Sequence, residues 1–194
     1  MEMSWIEWVA VLAGLLCVWF TIKENIWCWP LGLIQVTLYV WIFYQAKLYS
    51  DFVLHIIYIF LQFYGWYSWL YGGMNHTKLP VSRLSPNGFL LSLLLTSVAT
   101  ALWGAGMEHY TDASLPYWDA FTTMASLMAQ WLLTRKKLES WIYWISVDVV
   151  AIGVYFYKGL HPTAGLYAVF LILASAGFWK WSRNRLNHEI EVPE

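Results

Sequence analysis

Charge is scarce in this chain. Only 12% of its 194 residues are Asp, Glu, Lys or Arg, and the formal net charge is −1, so there is neither a basic field to hold nucleic acid nor an acidic tail. Cysteine is scarcer still. Cys17 and Cys28 lie inside or at the edge of apolar segments, which leaves no disulfide framework and no thiolate metal cluster to read. The start, Met1-Glu2-Met3-Ser4-Trp5, lacks the positive n-region of a signal peptide, so the first apolar run is expected to be a retained helix. Catalytic signatures are missing as well: there is no HExxH and no GxSxG, and His55, His76, His109, His161 and His188 are scattered. Hydrolytic and metal-dependent membrane enzymes need such groups on neighbouring turns, and ATP-driven transport needs a Walker motif that is also absent. No catalytic residues, cofactor or metal are therefore expected.

What fills the chain is apolar and aromatic surface. Hydrophobic residues make up 60% of it, with 15 Trp and 13 Tyr and a mean hydropathy of +0.51. That composition belongs to an integral membrane protein, here read as one transmembrane domain over 1–194 with the lipid bilayer as its surroundings. Seven segments are long enough to cross the hydrocarbon, at about 5–22, 27–46, 52–71, 88–106, 117–134, 139–157 and 163–182. The longest connection, Gly72 to Gly88, carries Asn75, Pro80, Pro86 and Asn87, a turn-rich linker before the fourth helix. With the N-terminus outside, the inner loops hold Lys23, Lys78, Arg83, Arg135, Lys136, Lys137, Lys180, Arg183 and Arg185, against Lys47 and Lys158 on the other side. The positive-inside rule thus predicts an external N-terminus and a cytoplasmic tail over 183–194.

Shifted by 113 residues, the chain meets itself: Trp5 falls on Trp118, Thr21 on Thr134, Lys23 on Lys136, Phe43-Tyr44 on Phe156-Tyr157 and Trp66 on Trp179. A one-residue slip near the end brings Gly65 onto Gly177 and Trp69 onto Trp181. The pattern reads as a three-helix copy (5–71), a linker helix (88–106) and a second copy (117–182), in parallel orientation because an odd helix count and one linker intervene. The alternative is a chance match between two aromatic-rich segments.

Polar side chains in a span are costly and need a partner or a purpose. Gln35, Gln62, Asp148 and Ser175 fall near the bilayer midplane, and the shift of 113 pairs Gln35 with Asp148 and Gln62 with Ser175. Taken singly, Gln35, Gln62 and Ser175 fit interhelical hydrogen bonding as readily as a ligand site. Asp148 is different, since the one Lys or Arg within any span is Lys180, at the inner end of the last; Asp148 must be protonated, bonded to an amide or offset by a bound cation. His55 and Asp119 lie near outer helix ends, as gate contacts or interfacial residues. Glu7 reads as a solvated carboxylate, and Gln130 could be either glue or site. Among the aromatics, Trp27, Trp69 and Trp181 fit an interfacial belt, whereas Trp66, Trp144 and Tyr64 lie deeper. Trp144 shares a helical face with Asp148 at i, i+4, a pairing that suits a flat cationic ring through stacking and a cation–π contribution of roughly 0.5–2 kcal/mol.

Particular stretches carry a resemblance: Gly32-Leu33-Ile34-Gln35-Val36-Thr37-Leu38-Tyr39, Lys47-Leu48-Tyr49-Ser50-Asp51, Tyr64-Gly65-Trp66-Tyr67-Ser68-Trp69, Trp118-Asp119, Leu133-Thr134-Arg135-Lys136, Trp141 with Trp144, and Tyr157-Lys158-Gly159-Leu160. In these the chain resembles the PnuC family of bacterial vitamin transporters over nearly its whole length. The resemblance implies a 3+1+3 fold like that of a full-length SWEET sugar carrier, a homotrimer in the bacterial inner membrane, and facilitated diffusion made unidirectional by a cytoplasmic vitamin kinase. It implies nicotinamide riboside or a close relative as substrate, with thiamine as the alternative; both carry a positive ring charge that would suit Asp148. The candidate substrate contacts are Gln35, Gln62, Asp148, Ser175, Trp144, Trp66, Tyr64 and His55. The family's nicotinamide riboside members often have asparagine at the positions of Gln35, Gln62 and Asp148, and Asn-Gly where this chain has Ala176-Gly177. A vitamin-binding subunit of an energised importer is the remaining rival, and it would show six spans and no repeat.

Overall fold

The structure, a computed structural model, describes residues 5–45, 49–111 and 114–191, with side chains described except at 49–51 and 187–191. Lys47, one of the two outer cations in the charge count, and the end of the tail lie outside the described residues. The described residues form seven α-helices, α1 (Trp5–Ile22), α2 (Cys28–Gln45), α3 (Tyr49–Tyr71), α4 (Pro86–Tyr110), α5 (Pro116–Thr134), α6 (Glu139–Tyr157) and α7 (His161–Glu191), with one 3₁₀ turn at Met74–His76. Each apolar segment of the sequence is one of these helices. Four of them, Trp5–Ile22, Pro86–Tyr110, Glu139–Tyr157 and the His161–Leu186 part of α7, are long and apolar enough to cross a membrane. With 18, 23 and 19 residues, α2, α3 and α5 have spanning length too, about 27–35 Å at 1.5 Å per residue. Glutamines such as Gln35, Gln62 and Gln130 lower their hydropathy. The protein is a multi-pass, all-α membrane protein. Side chains such as Leu90, Leu94 and Leu102 of α4, each at least 60% exposed, form the apolar surface that lipid covers.

Local chemistry sets the helix ends. Ser85 caps α4, its hydroxyl accepting from the Gly88 amide at 3.1 Å, and Pro86 occupies the first turn, where a missing N–H costs nothing. Pro116 does the same for α5. The α1–α2 and α5–α6 connections turn through single left-handed residues, Glu24 (φ 54°) and Lys136 (φ 51°), which lie 112 residues apart.

The helices gather into two compact units, Met1–Pro80 and Val81–Glu194. In the first, α2 packs against both α1 and α3; in the second, α4, α5, α6 and α7 pack in sequence. Helix α4, expected from the sequence as a linker between two copies, is therefore a member of the second unit. Its entry segment is fastened to the α5–α6 loop: Ser82 and Lys137 form a β-bridge, the Ser82 amide donates to the Lys136 carbonyl, and the Leu138 amide donates to the Ser82 carbonyl. Lys137 Nζ donates to Ser82 Oγ at 2.9 Å, and the buried Glu139 carboxylate accepts the Leu84 amide at 3.0 Å with Arg83 at 3.6 Å. Deeper in the unit, Tyr143 of α6 shares a 2.9 Å hydrogen bond with Ser92 of α4.

Compared internally, the two units share several side-chain arrangements at a constant spacing of 112. Trp29 lies over Gly65 and meets Trp69 edge-on at 5.3 Å and 88°; Trp141 lies over Gly177 and meets Trp181 edge-on at 5.4 Å and 87°. Lys23 sits over Trp19 at 4.6 Å, as Arg135 sits over Trp131 at 4.7 Å. His55 contacts the rings of Phe43 and Tyr58, as Tyr167 contacts Tyr155 and Phe170. These geometries correct two readings of the sequence. The shift of 113 is replaced by 112 well before the end of the copies, which sets Gln62 opposite Ala174 and Asp148 opposite Val36 and dissolves the Gln35–Asp148 and Gln62–Ser175 pairs. Trp69 and Trp181 are core residues, 3% and 0% exposed, and not belt anchors, because the glycine one turn before each lets a neighbouring indole dock flush beside it. Trp27, 62% exposed, keeps the position expected of an interfacial residue.

Candidate functional site

Each unit buries polar groups that make no hydrogen bond to a described residue. In the second unit these are Asp148 of α6 and Gln130 of α5, 4% and 7% exposed. Among the described residues none hydrogen-bonds to the Asp148 carboxyl and none forms an ion pair with it. Asp148 lies nine residues from the start of α6, about 14 Å into the helix, where an uncompensated carboxylate is expensive. Trp144, half-buried, precedes it by one turn on the same face. Gln130, which the sequence left between glue and site, also makes no hydrogen bond to a described residue.

In the first unit the groups are carboxamides. Gln62 of α3 is 7% exposed, and its amide rests against Gly32 of α2. Gln35 of α2 is half-buried, with its amide against Gly14 of α1. Neither amide hydrogen-bonds to a described residue, so the interhelical bond that would make them simple glue is not formed. Gln62 lies nine residues before the end of α3, about 14 Å from it. Buried polar groups are almost always paired in soluble cores, and at this depth in a membrane an amide without a partner is costly.

Other candidates are arranged differently. Ser175 is exposed, and its hydroxyl donates to the Leu171 carbonyl of its own helix at 2.8 Å, a local bond that satisfies it. Tyr64 is 38% exposed and Trp66 half-buried. His55 is held among the rings of Tyr39, Phe43 and Tyr58, with centroids 4.9–5.5 Å away. Asp119 is committed to Lys158, whose Nζ reaches both carboxylate oxygens at 3.1 and 3.2 Å, tying the first turn of α5 to the residue that ends α6. The sequence offered both residues but no reason to pair them, since they are 39 positions apart.

Long apolar helices that bury polar side chains about halfway along their length have the build of a multi-pass membrane carrier. Residues 4–183 match the profile of the nicotinamide mononucleotide transporter family, and the chain belongs to that family, one of transporters and not enzymes. It is 29% identical over 206 residues to the nicotinamide riboside transporter PnuC of Escherichia coli (strain K12), covering 93% of this chain and 86% of that protein. It is 24% identical over 189 residues to the riboflavin/roseoflavin transporter RibM of Streptomyces davaonensis, covering 93% and 86%. The crystal structure of the vitamin B3 transporter PnuC superposes with a TM-score of 0.75 at 29% identity, covering 95% of this chain and 83% of that one.

Proposed function

We propose that this protein takes up nicotinamide riboside, or a closely related vitamin, across the bacterial inner membrane by facilitated diffusion, with a cytoplasmic vitamin kinase trapping the product. The observation that carries the substrate class is Asp148, a buried carboxyl with no hydrogen-bond or ion-pair partner among the described residues, beside an aromatic ring on the same helical face. A ligand with a positively charged ring supplies both the missing charge and a stacking partner. Gln62 and Gln35 offer donor and acceptor edges for the ligand's neutral polar groups. Thiamine, which also carries a cationic ring, is the second reading, favoured by a carboxylate where the nicotinamide riboside carriers often have an amide. The relatives' names favour the first reading. The seven α-helices of the described residues do not fit the six-span subunit of an energised importer.

The duplicated geometries at 112 residues support a 3+1+3 parallel repeat of the SWEET kind, with α4 as the linker. The resemblance extends the proposal to a homotrimer. Purified protein in liposomes is expected to equilibrate radiolabelled nicotinamide riboside down its gradient without ATP. Accumulation driven by a pH difference alone would make the protein a proton symporter. Tryptophan quenching with nicotinamide riboside, thiamine, riboflavin and deoxynucleosides ranks the substrates.

Orientation has its own test. The basic residues at the inner ends, Lys23, Arg135 and Arg183 among them, predict a periplasmic N-terminus and a cytoplasmic C-terminus. Reporter fusions at Ser4 and Glu194 are expected to report opposite sides; both on one side would remove the odd number of crossings.

A further inference from the structure

Gly14 and Gly32 face the far ends of two flexible glutamines. A Cβ built on Gly14 would lie 2.6 Å from Gln35 Nε2, and one built on Gly32 would collide with Gln62 Nε2 and lie 2.9 Å from its Cδ. The carboxamides thus occupy the volume that any other residue would fill with its side chain. The arrangement steps through the unit: α2 places an amide on α1, and α3 places an amide on α2. Both amides are free of hydrogen bonds to described residues, and Gln62 is 93% buried, so close packing against the glycine, and not hydrogen bonding, fixes where its donor and acceptor edges stand.

We propose that Gly32, with Gly14 in the same role for Gln35, is a positioning residue that sets the ligand-reading geometry of the carrier, by seating the Gln62 carboxamide at a depth only a glycine allows. The inference rests on the transport reading above, in which Gln62 contacts the solute. The second unit lacks the device: at the spacing of 112, Gly14 and Gly32 correspond to Ser126 and Trp144, and Gln62 to Ala174. Solute recognition is therefore unequal in the two units, amide-based in the first and built on Asp148 and Trp144 in the second. A methyl at Gly32 moves the tip of a flexible side chain and not a backbone or a clamped ring, so its effect falls on the amide and not on the fold.

The test is a cycle of full-length variants, Gly32→Ala, Gln62→Asn and the two combined. It is read by tryptophan-quenching titration with nicotinamide riboside, thiamine and riboflavin, and by melting temperature. Gly32→Ala is expected to weaken binding of the best ligand on the order of tenfold, with a melting temperature within a few degrees of the parent. Shortening Gln62 by one methylene makes room for the added methyl, so the double variant is expected to lose no more affinity than Gly32→Ala alone. Unchanged affinity in Gly32→Ala, or losses that add in the double variant, would overturn the proposal. If the parent binds none of the three vitamins, the transport reading fails. A coupling seen only in melting temperature would then make the pair helix packing and would overturn the positioning role as well.

Discussion

Gly177→Ala is expected to lower the melting temperature of the purified protein by several degrees or more, and Gly65→Ala to do the same. At Gly177 a Cβ would stand 2.6 Å from Cη2 and Cζ2 of Trp141. That ring cannot retreat, because it is 2% exposed and Trp181, 0% exposed, meets it edge-on at 5.4 Å. Trp29 is equally enclosed at Gly65, 1% exposed with Trp69 against it at 5.3 Å. Overpacking of this kind typically costs about 1–3 kcal/mol and occasionally more, a large share of a net stability of roughly 5–15 kcal/mol. Both indole Nε1–H groups are already buried without an acceptor among the described residues, so these seats depend on shape. The control is Gly153→Ala, where an added Cβ meets nothing within 4 Å and little change is expected. Fluorescence-monitored melting in detergent separates the outcomes, and a Gly177→Ala protein that melted like its parent would mean that the indole does not hold α6 against α7.

The helices were legible in the sequence because each is an apolar run bounded by Pro, Gly, Asn or charged residues, and the α4 cap at Ser85-Pro86 is written out in full. Asp148 was legible as well, since the only other charged residue of its span, Glu139, stands at the very end and leaves one carboxylate in the middle. What could not be read was which way each side chain faces. Trp69 and Trp181 have the composition of belt residues, and only Gly65 and Gly177, four positions earlier, hint that a neighbour's ring docks there. The register of the internal match is hidden for a similar reason. Trp5 with Trp118 and Thr21 with Thr134 fix a shift of 113, while the contacts that define the packing, from Trp19–Lys23 to Trp69, repeat at 112. Ser175 pairs with Gln62 only at the shift of 113, and its exposed hydroxyl donates within its own helix to the Leu171 carbonyl. The seats of Gln35 and Gln62 were invisible, because nothing in a sequence says that an amide on one helix will lie on a glycine of the preceding one.

Asp148→Asn is expected to separate charged from uncharged ligands. The substitution keeps the shape of the side chain and removes its charge, so any loss of affinity common to all ligands reports hydrogen bonding, and any excess for cations reports charge. Two unit charges 4 Å apart interact by about 4 kcal/mol at an effective dielectric constant near 20, and desolvation of the ligand cation removes part of that gain. A net preference of roughly ten- to a hundredfold is what remains. Nicotinamide riboside is therefore expected to bind Asp148→Asn some ten- to a hundredfold more weakly than it binds the parent, whereas its reduced, uncharged form should change by only about threefold or less. Thiamine and an uncharged thiamine analogue make the same comparison on a different ring. Tryptophan-quenching titrations measure all four, with Trp144 one turn from the substituted residue as a natural reporter. Equal losses for charged and neutral ligands would reduce Asp148 to a hydrogen-bond acceptor or a structural acid, and the choice of a cationic vitamin would then rest on the relatives' names alone.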